Sequence, residues 1–108
     1  FPEQLTNYLL KYDYRDLEII KAVILKAKKS FNSRHEDMHY MLEDIEDEIL
    51  TSLKRLKKAI HDRGVKGQKE TIKSMQAYLM QTILTELEET HALYMRRKNM
   101  KQYNIFNQ

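Results

Sequence analysis

Cysteine is absent from the 108 residues, which removes disulfides and thiolate metal ligands from consideration. A thiol-free chain fits a reducing compartment. Glycine occurs twice and proline once, too few breakers for the many turns of a sheet protein. The chain is therefore expected to be all-α. No apolar run approaches the roughly 20 residues of a membrane helix, and no secretory leader is recognisable. The reading is a cytoplasmic protein with no membrane role. The 19 basic and 16 acidic residues leave a formal net charge of only +3, too small to imply nucleic acid by itself. One core fits this length and two do not. A chain that begins at Phe1 rather than Met reads as a piece of a longer protein.

What is present is helical periodicity, and it predicts a compact bundle of about four helices with one long central helix. Pro2 suits the first position of a short helix near 3–11, since it has no amide hydrogen to lose there. Asp13 or Asp16 can cap a second helix near 16–31. Its stripe is Leu17, Ile20, Ile24, Ala27 and Phe31, widened by Ile19 and Val23. Asn32 and Ser33 should end it. A third helix is expected over 34–63, with Met38, Met41, Leu42, Ile45, Ile49, Leu53, Leu56 and Ile60 on one face. It would be roughly 45 Å long at 1.5 Å per residue. Gly64 suits the left-handed position past that helix, within a short GVKG turn. The fourth helix is expected near 70–98, carrying Ile72, Met75, Leu79, Ile83, Leu87 and Tyr94. Residues 1–98 would form the domain and 99–108 a polar tail.

The stretch HEDMH, His35 to His39, has the H-E-x-x-H form that places two zinc ligands and a general-base glutamate on one helix face. Here Ser33 precedes Glu36 by three residues, the S-x-x-E spacing of a capping box. That gives Glu36 a structural task at a helix start. The chain offers no strand edge on which a peptide substrate could lie. Glu86 or His91 could supply a third ligand, yet the motif is read as a helix start and neither metal nor cofactor is expected. There is no phosphate-cradling glycine loop and no cysteine nucleophile. Ser30, Ser33, Ser52 and Ser74 have no recognisable nucleophile setting. No enzymatic activity is expected.

Charge is polarised along the chain. Glu36, Asp37, Glu43, Asp44, Glu46, Asp47 and Glu48 are followed by a basic segment: Lys54, Arg55, Lys57, Lys58, Arg63, Lys66, Lys69 and Lys73. Acids at a helix start and bases at its end complement the helix dipole, which explains much of the pattern. Antiparallel packing would set the basic ends of the second and fourth helices beside the acidic start of the third. The basic turn would meet only Asp13, Asp16 and Glu18, with Tyr12 and Tyr14 in the same region. A positive pole should remain, able to meet phosphates or an acidic protein surface.

Two segments, DLEIIKAVILKAKKSFN and KSMQAYLMQTIL after a basic linker, resemble the helical DnaD-like domain of bacterial replication proteins. The resemblance is closest to the C-terminal domains of RepA-type plasmid replication initiators, and it covers about residues 16–90. Such domains carry an aromatic-x-x-x-Ile-x-x-x-aromatic pattern on a late helix implicated in DNA contact. The matching registers here are Leu79, Ile83 and Leu87, or Tyr78, Thr82 and Glu86. The resemblance implies a module that contacts host replication machinery, a primase or helicase-loading factor, while a separate N-terminal domain binds the origin. Its binding residues would be Lys54, Arg55, Lys57, Lys58, Arg63, Lys66 and Lys69, with the DNA backbone as an alternative ligand. The chain would be a monomer or weak homodimer. A structural dimerisation domain built on long antiparallel helices is the alternative reading.

Overall fold

The computed structural model describes the backbone of residues 1–106 and the side chains of residues 1–100. Four α-helices follow in order: α1 (Glu3–Leu9), α2 (Tyr14–Arg34), α3 (Glu46–Val65) and α4 (Gln76–Phe106). A single 3₁₀ turn, Leu42–Ile45, leads into α3. Among the described residues there is no strand, and no helix is long and apolar enough to cross a membrane. The architecture is an all-α bundle.

Each helix start has a local cause. Pro2 sits at the N-cap of α1, and the amide of Leu5 donates to Glu46 Oε2 at 3.0 Å. A carboxylate on α3 thereby satisfies one of the orphan amides of α1 and pins α1 alongside α3. Asp13 caps α2 by accepting from the Asp16 amide at 2.9 Å. At the entry to α4, the Thr71 amide donates to Ser74 Oγ at 2.9 Å and the Ser74 amide to Thr71 Oγ1 at 3.0 Å. This reciprocal pair does the work of a capping box.

The core keeps most of the predicted stripes, but Met41 and Tyr94, expected on them, are exposed, and Leu17, Met38, Leu42 and Ile60 are only partly buried. Ile20, Val23, Ile24, Ala27 and Phe31 of α2 meet Ile49, Leu53 and Leu56 of α3 and Leu79, Ile83 and Leu87 of α4. Leu5 and Leu9 of α1 close one side, and Ile72 and Met75 close the end. Each Val, Leu, Ile, Met or Phe side chain among them contributes about 1.5–3 kcal/mol when fully buried. Together they fix α4 against both α2 and α3.

Three boundaries differ from expectation. The helix foreseen over 34–63 begins only at Glu46, because α2 continues to Arg34 and residues 35–41 form a loop. Ser33 does not cap a helix; its hydroxyl donates to the Ser30 carbonyl at 2.8 Å, inside α2. The 3₁₀ turn that leads into α3 is capped at Met41, whose amide donates to Asp44 Oδ2 at 2.8 Å. Second, α3 runs through Gly64, and Gly67 takes the left-handed position at φ 86°. The Gln68 amide reaches the Arg63 carbonyl at 2.8 Å and the Gly67 amide reaches that of Gly64 at 3.0 Å. These two bonds form a Schellman motif. Third, α4 begins at Gln76 and remains helical to Phe106, through most of the expected polar tail. The last two tail residues, 107 and 108, lie outside the described residues.

Candidate partner-binding pole

HEDMH is a loop, and its two histidines go separate ways. His35 Nε2 donates to Glu88 on α4 at 2.9 Å, while its ring packs at a tilt against Phe31 and His91, with centroids 4.4 and 4.2 Å away. His39 is exposed and lines a shallow pocket together with Lys28, Lys29 and Asn32. Buried Asn32 binds both backbone groups of Tyr40, donating to its carbonyl and accepting from its amide at 3.0 Å each. The Tyr40 hydroxyl is hydrogen bonded to His91 Nδ1 at 2.8 Å. Burial, joined by Tyr94 and the nearby carboxylates, raises the Tyr40 pKa above its ordinary value. Of the candidate third ligands, Glu86 is salt-bridged to Arg55 and His91 is held by Tyr40. Among the described residues no three such side chains are grouped to hold a metal ion. The cluster fastens a loop.

The predicted basic residues run from the middle of α3 to the turn after it, toward the end opposite this loop. On α3, Leu53 and Leu56 face the core, so Lys54 and Lys58, one turn apart, project on the far side. Lys57 lies on the flank toward α1 and Arg55 on the flank toward α4. Lys66 and Lys69 are exposed on the turn that follows. Arg63 is tied down: it donates to Met75 Sδ at 3.0 Å, approaches Glu70 at 3.7 Å and lies over the Tyr78 ring at 5.7 Å. The two arginines therefore fasten α3 to α4 and to the linker. No ion pair engages Lys54, Lys57, Lys58, Lys66 or Lys69 among the described residues.

Of the acids expected to offset these lysines, Asp13 caps α2 by accepting from the Asp16 amide and Glu18 approaches Lys21 at 3.7 Å, while Asp16 lies in the first turn of α2. In the linker, Glu70 accepts from Ser74 at 2.6 Å. Both expected aromatic registers of the late helix are also accounted for. Leu79, Ile83 and Leu87 are core. Tyr78 carries Arg63, Thr82 donates to the Tyr78 carbonyl at 2.8 Å, and Glu86 pairs with Arg55.

Sequence reading did not find the cavity beside this pole. It measures about 250 Å³ and is lined by Tyr8, Lys11, Tyr12, Lys57, Ile60 and Ile72. Tyr8 and Tyr12 pack at 6.0 Å with rings tilted by 55°, and Lys11 Nζ sits 5.5 Å from the Tyr8 centroid. Burial pushes the Tyr12 phenol well above its ordinary pKa, and the neighbouring Tyr8 hydroxyl adds to the shift. The signal available in sequence was the Y-x-x-K-Y spacing at the end of α1, which places Tyr8, Lys11 and Tyr12 on one side of a helical turn.

In the comparison with protein families, residues 4–89 match the replication initiator protein A C-terminal domain. The chain belongs to that family, which gives it a part in plasmid replication initiation. No curated protein matches it.

Proposed function

We propose that this domain is the non-catalytic recruiting module of its initiator, docking an acidic surface of a host primase or helicase-loading factor. The docking residues are Lys54, Lys57, Lys58, Lys66 and Lys69, with Arg55 and Arg63 holding the scaffold beneath them. One observation carries this reading. Lys54, Lys57, Lys58, Lys66 and Lys69 run from the middle of α3 onto the turn after it with no intramolecular ion pair among the described residues, whereas Arg55, Arg63, Glu70 and Glu86 are engaged. Unpaired surface cations raise the association rate and select partners of opposite sign more than they stabilise the fold.

The test is a Lys54→Glu, Lys57→Glu, Lys58→Glu, Lys66→Glu variant with unchanged helicity. Loss of primase or helicase-loader capture supports the reading, and unchanged capture removes it. DNA binding across a salt series separates the alternative ligand, since each lost phosphate contact lowers the salt slope by about 0.9.

A second reading rests on α4, which extends past the bundle with Leu93, Tyr94 and Met100 exposed. Such a helix end can pair with a second copy and give a homodimer. Sedimentation at several concentrations tests it, because a structural dimer persists at micromolar dilution.

A further inference from the structure

The cavity beside the basic pole combines two chemistries that a purely electrostatic docking surface does not need. Its walls are apolar and aromatic, from Ile60, Ile72, Tyr8 and Tyr12, while Lys11 and Lys57 are the two cations that line it. Lys54 and Lys58 lie within one turn of Lys57 on α3. At about 250 Å³ the space is smaller than the roughly 300–1,000 Å³ of ordinary small-molecule clefts. One large side chain fills it.

We infer that this cavity anchors a single aromatic or branched apolar side chain from an acidic peptide segment of the recruited protein, whose carboxylates meet Lys11, Lys57 and the adjoining lysines. The inference deepens the proposed function and rests on the reading of the basic pole as the docking surface. An apolar anchor in a desolvated pocket, ringed by complementary charge, is how a small contact gains both strength and selectivity. A bare acidic surface would leave the half-buried Ile60 wall uncovered. Nucleic acid uses the site less well. Phosphates gain nothing from those walls, and base stacking needs an open aromatic face. Tyr8 and Tyr12 pack on each other, and the Lys11 ammonium stands over Tyr8.

The experiment titrates the intact chain with three fluorescein-labelled probes: the peptides Asp-Asp-Glu-Asp-Phe and Asp-Asp-Glu-Asp-Ala, and a (dT)10 oligonucleotide. Ile60 and Ile72 methyl resonances are followed in parallel. The expected result is that the Phe peptide binds at least about tenfold more tightly than the Ala peptide and shifts both methyls. An Ile60→Trp variant, which fills the cavity, should bind the two peptides equally. The methyl shifts are read on the unmodified chain, so the test survives failure of that variant to fold. Equal binding of the two peptides by the unmodified chain would overturn the anchor. So would the absence of binding by either peptide, or methyl shifts produced by (dT)10 alone. If the anchor fails while charge reversal still abolishes partner capture, the docking pole stands without it; if capture also survives reversal, both fall.

Discussion

His35 Nε2 lies 2.9 Å from Glu88 Oε1 and 3.1 Å from Oε2, so the first histidine of the H-E-x-x-H motif closes the α2–α3 loop onto α4. The second histidine, His39, has no part in that closure. A zinc site and a loop clasp therefore make opposite predictions. His35→Ala should lower stability by about 1–2 kcal/mol, through the lost bond and the lost packing on Phe31 and His91. His39→Ala should change it by less than about 0.5 kcal/mol. Urea unfolding of the two variants measures both. Prolonged EDTA should leave the melting temperature unchanged. A fall of about ten degrees that stoichiometric zinc restores would instead reveal a structural metal.

Asn32 is the second fastening of the same loop. Its amide serves both backbone groups of Tyr40. Asn32→Ala should cost about 2 kcal/mol or more, because two part-buried backbone groups lose their partners together. Amide exchange at Tyr40 should accelerate in that variant, which separates loop release from a general loss of stability.

The two glycines should respond in opposite directions. Gly64 lies within α3 with nothing near an added Cβ, so Gly64→Ala should stabilise the domain by about 0.5–1 kcal/mol. Gly67 is at φ 86°, where Gly67→Ala should destabilise by about 1 kcal/mol or more. Thermal unfolding of the pair decides whether the Schellman turn ends at Gly67 or the helix stops at Gly64.

Alkaline pH should weaken the fold through Tyr12. Its phenol is raised from 10.0 in the folded state, so folding favours the neutral form. The stability linked to this group is fully present below the unfolded pKa of about 10 and is lost as pH climbs above it. Tyr12→Phe should therefore lose less stability between about pH 9 and 11 than the unmodified chain. Equal losses would show that the shift is absent.

Most of the core was legible because the Ile20–Phe31 and Ile49–Leu56 stripes keep helical period through the bundle. The loop over residues 35–41 was not, for a physical reason. Met38, Leu42 and Ile45 continue in phase with Ile49 and Leu53, so periodicity shows no break there. What opens the chain is non-local: Asn32 on Tyr40, His35 on Glu88 and Tyr40 on His91. Local S-x-x-E spacing lost to those bonds, and Ser33 stayed in α2. The basic segment on which the proposed docking pole rests was readable from charge order alone. The roles of Arg55 and Arg63 were not, because their partners Glu86, Glu70 and Met75 come from other elements. The cavity needs α1, α3 and the linker at once, which only the fold brings together.

The central claim is that one particular end of the bundle recruits the partner, and a comparison of the two ends tests it most directly. Purified host primase and helicase-loading factor would be titrated with three forms of the chain. These are the unmodified protein, the Lys54→Glu, Lys57→Glu, Lys58→Glu, Lys66→Glu variant, and a Lys26→Glu, Lys28→Glu, Lys29→Glu variant altered near the end of α2. Helicity is matched first. The account predicts a loss of at least about tenfold in affinity for the first variant and little change for the second. Equal losses would mean that overall charge, and not the pole, governs association. Unchanged binding by the first variant would contradict the account outright.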